Sequence, residues 1–211
     1  MHAIALGGVG RGKEVDHDGQ QSKGVMPARS RQPGVQGPAP KRSLGSHFTY
    51  VHTGAGFVCV AFVINAFARQ IVGWKVSSSA TASFVLDALE QAIHTRRPGS
   101  EDGLIHDSDS GVQYLAMNYA QRLAEANLVP SVGSVGDSYD NTLTETINGL
   151  YKAEVIWRRR LWPTASAAEM ATLSWVDWFN NHRLFAPIRH TPPAEAEANY
   201  FAALDALDMA A

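Results

Sequence analysis

Cysteine is almost missing from this chain: Cys59 is the only one in 211 residues. That excludes a disulfide framework and fits a reducing cytoplasm. Net charge is small as well, at −2. A free-standing nucleic-acid binder usually carries a basic excess, so tight non-specific DNA binding by this chain alone is not expected. Long apolar runs are lacking. The longest, Phe57 to Ile64, is too short to span a bilayer, and the N-terminus has no apolar core of a signal peptide. No His/Cys spacing matches a zinc site, so His106 and His190 read as ordinary polar side chains. Aromatics are nearly missing from residues 1–46, which are instead rich in Gly, Pro, Ser, Gln and Arg. That segment reads as disordered or linker-like.

What remains is a globular composition, 45% hydrophobic and 18% charged, in a length that suggests one domain plus appendages. Phe48 to Val51 begins an extended segment, and Gly54-Ala55-Gly56 turns the chain. Phe57 to Ile64 is continuously apolar and β-branched or aromatic, a buried strand. Gln70 to Val76 alternates and reads as the third strand of a meander. Ser79 to Arg96 has helical spacing, with Phe84, Val85, Ala88, Leu89 and Ala92 on one face, and Pro98-Gly99-Ser100 ends it. Gly103 to His106 is a short fourth strand, Tyr114 to Asn127 a second helix, and Val129 to Val132 a fifth strand or extended segment. A polar loop from Gly133 to Asn141 precedes a helix from Leu143 to Ile156. Ala165 to His182 is a long last helix whose Trp175, Trp178 and Phe179 read as core. Three antiparallel strands followed by alternating helices and strands imply an α/β fold, a mixed sheet with helices on both faces.

The chemistry concentrates between Ile105 and Lys152. Asp109 ends the fourth strand, Glu145 lies on the later helix, and 35 residues separate them. Such a carboxylate pair is what a two-cation, oxygen-ligand site needs, and two cations can clamp both sides of an in-line phosphoryl displacement. Lys152 falls two helical turns beyond Glu145 on roughly the same face, where it could meet a DNA phosphate.

These residues carry a resemblance. The pieces are His47-Phe48-Thr49-Tyr50, Phe57 to Trp74, Ser108-Asp109-Ser110-Gly111, Gly136 to Asn141, Glu145-Thr146-Ile147-Asn148, Lys152, and Trp178 to Pro193. In this order and spacing they resemble the catalytic core of DDE transposases of the retroviral-integrase superfamily. The specific likeness is to the second-frame protein of IS-three-type bacterial insertion sequences, over residues 47–200. The resemblance implies a ribonuclease-H-like fold, a Mg²⁺- or Mn²⁺-dependent two-metal site held by Asp109 and Glu145, and cleavage and strand transfer of DNA. It implies insertion-sequence ends and target DNA as partners, a homo-oligomer or partner transposase subunit, no membrane, and a bacterial cytoplasm. The expected organisation is residues 1–46 as linker, 47–200 as integrase core and 201–211 as tail.

One departure outweighs the matches. The family's first catalytic aspartate stands immediately before Phe-Thr-Tyr, and here that position is His47. An imidazole brings no negative charge, is a poor Mg²⁺ ligand and cannot bridge two cations. The chemistry is therefore expected to be impaired, and the alternative is a catalytically dead relic that binds DNA or poisons a multimer. Asp107 shares a strand face with Asp109 and could enter the pocket, or be a solvated strand-end carboxylate. Asn65 reads as a turn cap. A ribonuclease H acting on hybrids would need several carboxylates in the opening strands, and none lies between Phe48 and Trp74.

For the remaining candidates two readings stand side by side. Ser110, Gly111 and Gln113 either position a phosphate or cap a helix. Asp137, Asp140 and Asn141 lie where the family positions DNA, and Asp140-Asn141 also fits the helix N-cap. Arg158, Arg159 and Arg160 beside Trp157 suit backbone phosphates or are a solvated charge run. Asn180, His182 and Arg183 serve packing or DNA ends. In residues 1–46 the family's basic helical region is recognisable only at Gly10-Arg11-Gly12-Lys13. Either Asp16 to Ser46 is translated out of frame, or the segment is a variable linker.

Overall fold

The computed structural model describes residues 43–54, 56–99, 103–108, 113, 116–131, 138–159 and 162–209. The side chains of residues 138–141, 204 and 208 fall outside that description.

Three strands form an antiparallel meander: β1 (Ser43–Thr53), β2 (Gly56–Asn65) and β3 (Ile71–Ser77). Gly56 supplies the positive φ of +111° that the first hairpin needs. Two short strands, β4 (Ile105–Ser108) and β5 (Val129–Ser131), add parallel to β1, giving the order β3-β2-β1-β4-β5. From Val58 to Ile64 β2 is apolar because that stretch is covered on both faces, whereas Phe57 at its start is exposed. Val58, Val60, Phe62 and Ile64 join one core cluster, while Cys59, Ala61 and Val63 join the other. Period-two geometry on a two-sided strand explains the unbroken run in the sequence.

Helix α1 (Ala82–Arg96) covers one face together with α2 (Met117–Glu125). All five residues expected on its inner face, Phe84, Val85, Ala88, Leu89 and Ala92, are buried. α1 lies directly against β3 because Gly73 has no side chain: a Cβ there would stand 2.0 Å from the Ala88 carbonyl oxygen. The opposite face is covered by α3 (Ser138–Tyr151), a π-helical turn (Lys152–Ile156) and α4 (Ala165–Asn181). Phe62, Tyr151, Trp175 and Phe179 make a chain of tilted and edge-on ring contacts through that core.

Several boundaries differ from the sequence reading. β1 begins at Ser43, not Phe48, because residues 43–46 pair with β4 and residues 44–46 with β2 as well. α1 starts at Ala82 rather than Ser79, and α2 ends at Glu125, with Asn127 in a left-handed conformation beyond it. α4 is not the last helix. α5 (Pro193–Asp208) follows and crosses the expected boundary between core and tail at residue 200. It docks through Glu197, ion-paired with Arg96 of α1, and through Tyr200, whose ring lies 5.0 Å from Phe67. Trp178 is not core but exposed, whereas Trp175 and Phe179 are buried. Asn65 is the turn cap it was expected to be, its Oδ1 accepting from the backbone N–H groups of Phe67 and Ala68. No described helix is long and apolar enough to cross a membrane.

Candidate active site

His47 sits in the middle of β1, opposite Phe62 of β2, so its side chain shares the sheet face that α3 covers. Asn148 of α3 meets it there, with its amide Nδ2 2.8 Å from the imidazole Nδ1. An amide nitrogen only donates, so the ring nitrogen accepts and the imidazole proton resides on Nε2. The Asn148 Oδ1 is buried without a hydrogen-bond partner. Glu145 stands one turn before Asn148 and is exposed, and Lys152 lies one turn after it. Positions 145, 148 and 152 form one stripe, about 10 Å long at the helical rise. The expected shared face of Glu145 and Lys152 is present in the backbone. Asp109 and Ser110 lie outside the described residues, as do Gly111 and Asp137. Gln113 is described and donates to the Ala80 carbonyl oxygen.

Asp107 is not a solvated carboxylate. It is 4% exposed, between Gly45 of β1 and Ser131 of β5, because β4 is flanked on both sides. Its neighbour His106 points to the opposite face and is not an ordinary polar side chain either. It is fully enclosed, with Nε2 2.8 Å from Ser46 Oγ and 3.1 Å from Tyr119 Oη. Burial lowers its pKa to about 4 and raises that of Tyr119.

α3 starts at Ser138, so Asp140 and Asn141 are inside the helix rather than at its N-cap, with their side chains outside the description. At the other end the helix widens. The Trp157 N–H donates to the Lys152 carbonyl oxygen at 2.8 Å, an i to i+5 bond that closes the π-turn. Glu154 in this turn ties it to α4 by accepting from Trp175 Nε1 at 2.9 Å and pairing with Arg183.

The integrase core domain family matches residues 38–138. The transposase for insertion sequence element IS629 of Shigella sonnei is 50% identical over 211 residues, which is 100% of this chain and 70% of that protein. The chain belongs to the integrase-core DDE transposases of the IS-three type. A putative transposase for IS986/IS6110 of Mycobacterium tuberculosis (strain CDC 1551 / Oshkosh) is 47% identical over 205 residues, 96% of this transposase and 74% of that one. The fold agrees with the family. The HTLV-2 integrase catalytic core domain, solved in complex with magnesium in a trimeric form, superposes with a TM-score of 0.59 at 16% identity. It covers 77% of this chain and 99% of that one. A simian T-cell lymphotropic virus intasome in complex with the PP2A regulatory subunit B56 gamma gives a TM-score of 0.60 at 15% identity, over 79% of this chain and 60% of that one. The mixed five-stranded sheet of this transposase is thus the ribonuclease-H-like one.

Does position 47 fit the divalent pair that such a core implies? Mg²⁺ takes oxygen ligands, and His47 offers none. Its Nδ1 lone pair, which a softer ion could use, already accepts from Asn148. Among the described residues no group of three or more His, Cys, Asp or Glu side chains is placed to hold a metal. Position 47 therefore contributes no oxygen ligand to a two-cation site.

The basic candidates divide. Arg158 and Arg159 are exposed, the latter with its guanidinium 5.1 Å from the Trp162 ring centre, and Arg160 lies outside the described residues. Arg183 is instead spent inside the protein, ion-paired with Glu154 and 5.5–5.7 Å from the ring centres of Trp178, Phe179 and Phe185. Asn180 is likewise internal. Its side-chain amide accepts from the Ile71 N–H and donates to the Ile71 carbonyl, at 2.9 and 2.8 Å, extending β3 like a short strand. Sequence reasoning missed Glu154 and the contact role of Asn148. The one available signal was the i to i+3 spacing of Asn148 from Glu145.

Proposed function

We propose that this chain is the catalytic-core protein of insertion-sequence transposition whose own chemistry is disabled at position 47. The activity it is built for is divalent-metal-dependent cleavage of DNA ends and their transfer to target DNA. Family membership supports the DNA substrate, and oligomeric and intasome forms of the structural neighbours support action as a multimer. Asp109 and Glu145 are the retained carboxylates, and Lys152 is the phosphate contact on the same helical stripe as Glu145. Arg183 leaves the DNA-binding set, since its charge is already neutralised by Glu154.

The observation that carries the reading is the Asn148–His47 hydrogen bond at 2.8 Å. It supports a position where a carboxylate would accept the same amide hydrogen and also supply anionic oxygens to a cation. A histidine there satisfies the amide and supplies nothing more. The second reading, a relic that folds, binds DNA and poisons the multimers of an intact transposase, follows from the same contact.

The test is end cleavage and strand transfer on labelled insertion-sequence ends, in Mg²⁺ and in Mn²⁺, for the native chain and for His47→Asp. Activity in His47→Asp alone is the expected result. Cleavage by the native chain that Glu145→Ala abolishes overturns the proposal. Silence from both folded proteins, with native chain suppressing an intact transposase added to the reaction, supports the relic.

A further inference from the structure

A groove of about 780 Å³ runs between the π-turn and α4. Its floor is apolar, made by Val155, Ala167, Ala171 and Trp175, and its lip carries Met170 and Trp178, which are 62% and 43% exposed. Arg158 and Arg159 stand at one rim, and among the described residues neither has a carboxylate partner. The acidic residue of the lining, Glu154, is already paired with Arg183. The groove is thus apolar, aromatic and net positive.

The same chain displays the complementary object. Beyond Tyr200 the described side chains of α5 face solvent. Phe201, Ala202, Ala203, Ala206, Leu207 and Met209 are exposed, Leu207 at 67% and Met209 at 89%. A helix with this much apolar surface in water lacks a partner. Asp205, exposed and among the described residues without an ion pair, stands between Phe201 and Met209 at i+4 spacing on one stripe. An apolar stripe with an acidic residue at its centre suits a basic-rimmed aromatic groove. Helix-in-groove recognition needs apolar anchors spaced in this way.

We infer that the C-terminal turns of α5 from one copy of the chain dock into the α4/π-turn groove of a second copy. Phe201 and Met209 fill the space over Trp175 and Trp178, and Asp205 meets Arg158 and Arg159. The contact joins two different surfaces, so it is heterologous and each copy offers one donor helix and one acceptor groove. It owes nothing to the chemistry at position 47, and a chemically silent chain retains it.

Sedimentation of the full chain tests this with two single-site variants, Met209→Asp on the helix and Met170→Asp at the groove. Both positions are exposed, so both variants should keep the native melting profile. The native chain should assemble with rising concentration, and each variant alone should stay monomeric. An equimolar mixture of the two should form a dimer, because one variant keeps an intact groove and the other an intact helix. A native chain that is monomeric at every concentration, variants that still assemble, or a mixture that stays monomeric overturns the inference. So does an Arg158→Glu/Arg159→Glu chain that assembles normally but loses duplex-DNA affinity, for the rim would then serve phosphates.

Discussion

Asn148 donates its side-chain amide hydrogen to Nδ1 of His47, joining the middle of β1 to α3 one turn after Glu145. The bond places the imidazole proton on Nε2 and occupies the lone pair on Nδ1. It also gives Asn148 a positioning role toward whatever side chain stands at 47.

In His47→Asp, the amide should donate to a carboxylate oxygen, a charge-assisted bond worth about 1.5–3 kcal/mol. Adding Asn148→Ala to His47→Asp should lower strand transfer by about 10- to 100-fold. The dependence on metal concentration should shift with it, which a merely structural loss would not produce. Equal activity of the single and double variants would remove Asn148 from the site.

Gly73 makes a pair of predictions with opposite signs. A Cβ at position 73 meets the Ala88 carbonyl oxygen at 2.0 Å and the Ala92 nitrogen at 3.0 Å. Gly73→Ala should therefore push α1 off β3 and cost about 3 kcal/mol, at the upper end of overpacking penalties. A Cβ on Gly149, inside α3, meets nothing within 4 Å. Gly149→Ala should stabilise by about 0.5–1 kcal/mol through backbone entropy. Denaturant unfolding of the two variants checks both values.

Arg183→Gln should lower stability by about 2 kcal/mol, because Glu154 loses its charged partner in a half-buried place. It should leave the salt dependence of DNA binding unchanged. Lys152→Gln should do the reverse, with unaltered melting and a salt slope reduced by about one counterion. Titrations against duplex DNA over a range of salt concentrations separate the two.

His106 imposes a pH dependence on folding. Enclosed beside Ser46 and Tyr119, it titrates near 4 in the native state, against an ordinary value of 6.5. The unfolded chain therefore binds the proton first as pH falls. The contribution to stability is complete above pH 6.5 and is lost progressively down to about pH 4, on the order of 3 kcal/mol. The difference in unfolding free energy between the native chain and His106→Asn should narrow across that window.

How legible was this in the chain? The sheet and α1 were readable because periodicity is a local signal. Phe57 to Ile64 announced a buried strand, and all of it but the exposed Phe57 is covered; Phe84, Val85, Ala88, Leu89 and Ala92 announced the inner face of α1. α5 was hidden because its exposed half carries so many alanines and its inner half docks through Glu197, a charged residue that no apolar pattern marks. The internal use of Arg183 and Asn180 was hidden for a different reason. Their partners, Glu154 and Ile71, are distant in sequence, and a polar side chain carries no sign of whether it will meet solvent, DNA or the protein itself. Asp107 misled because the width of the sheet around β4 cannot be read from four residues.

The central place of β1 in the sheet also sets an order of events during folding. Its antiparallel partner β2 follows immediately, whereas its parallel partner β4 arrives only when Ser43 meets Ile105. The meander and α1 form a unit of short-range contacts that can nucleate early, and closing the long loop to β4 costs more chain entropy. His47 belongs to the early unit and Asn148 to the late one. Their hydrogen bond is thus a marker of completed folding, and amide exchange should find the α3 end of the site opening before the β1 end.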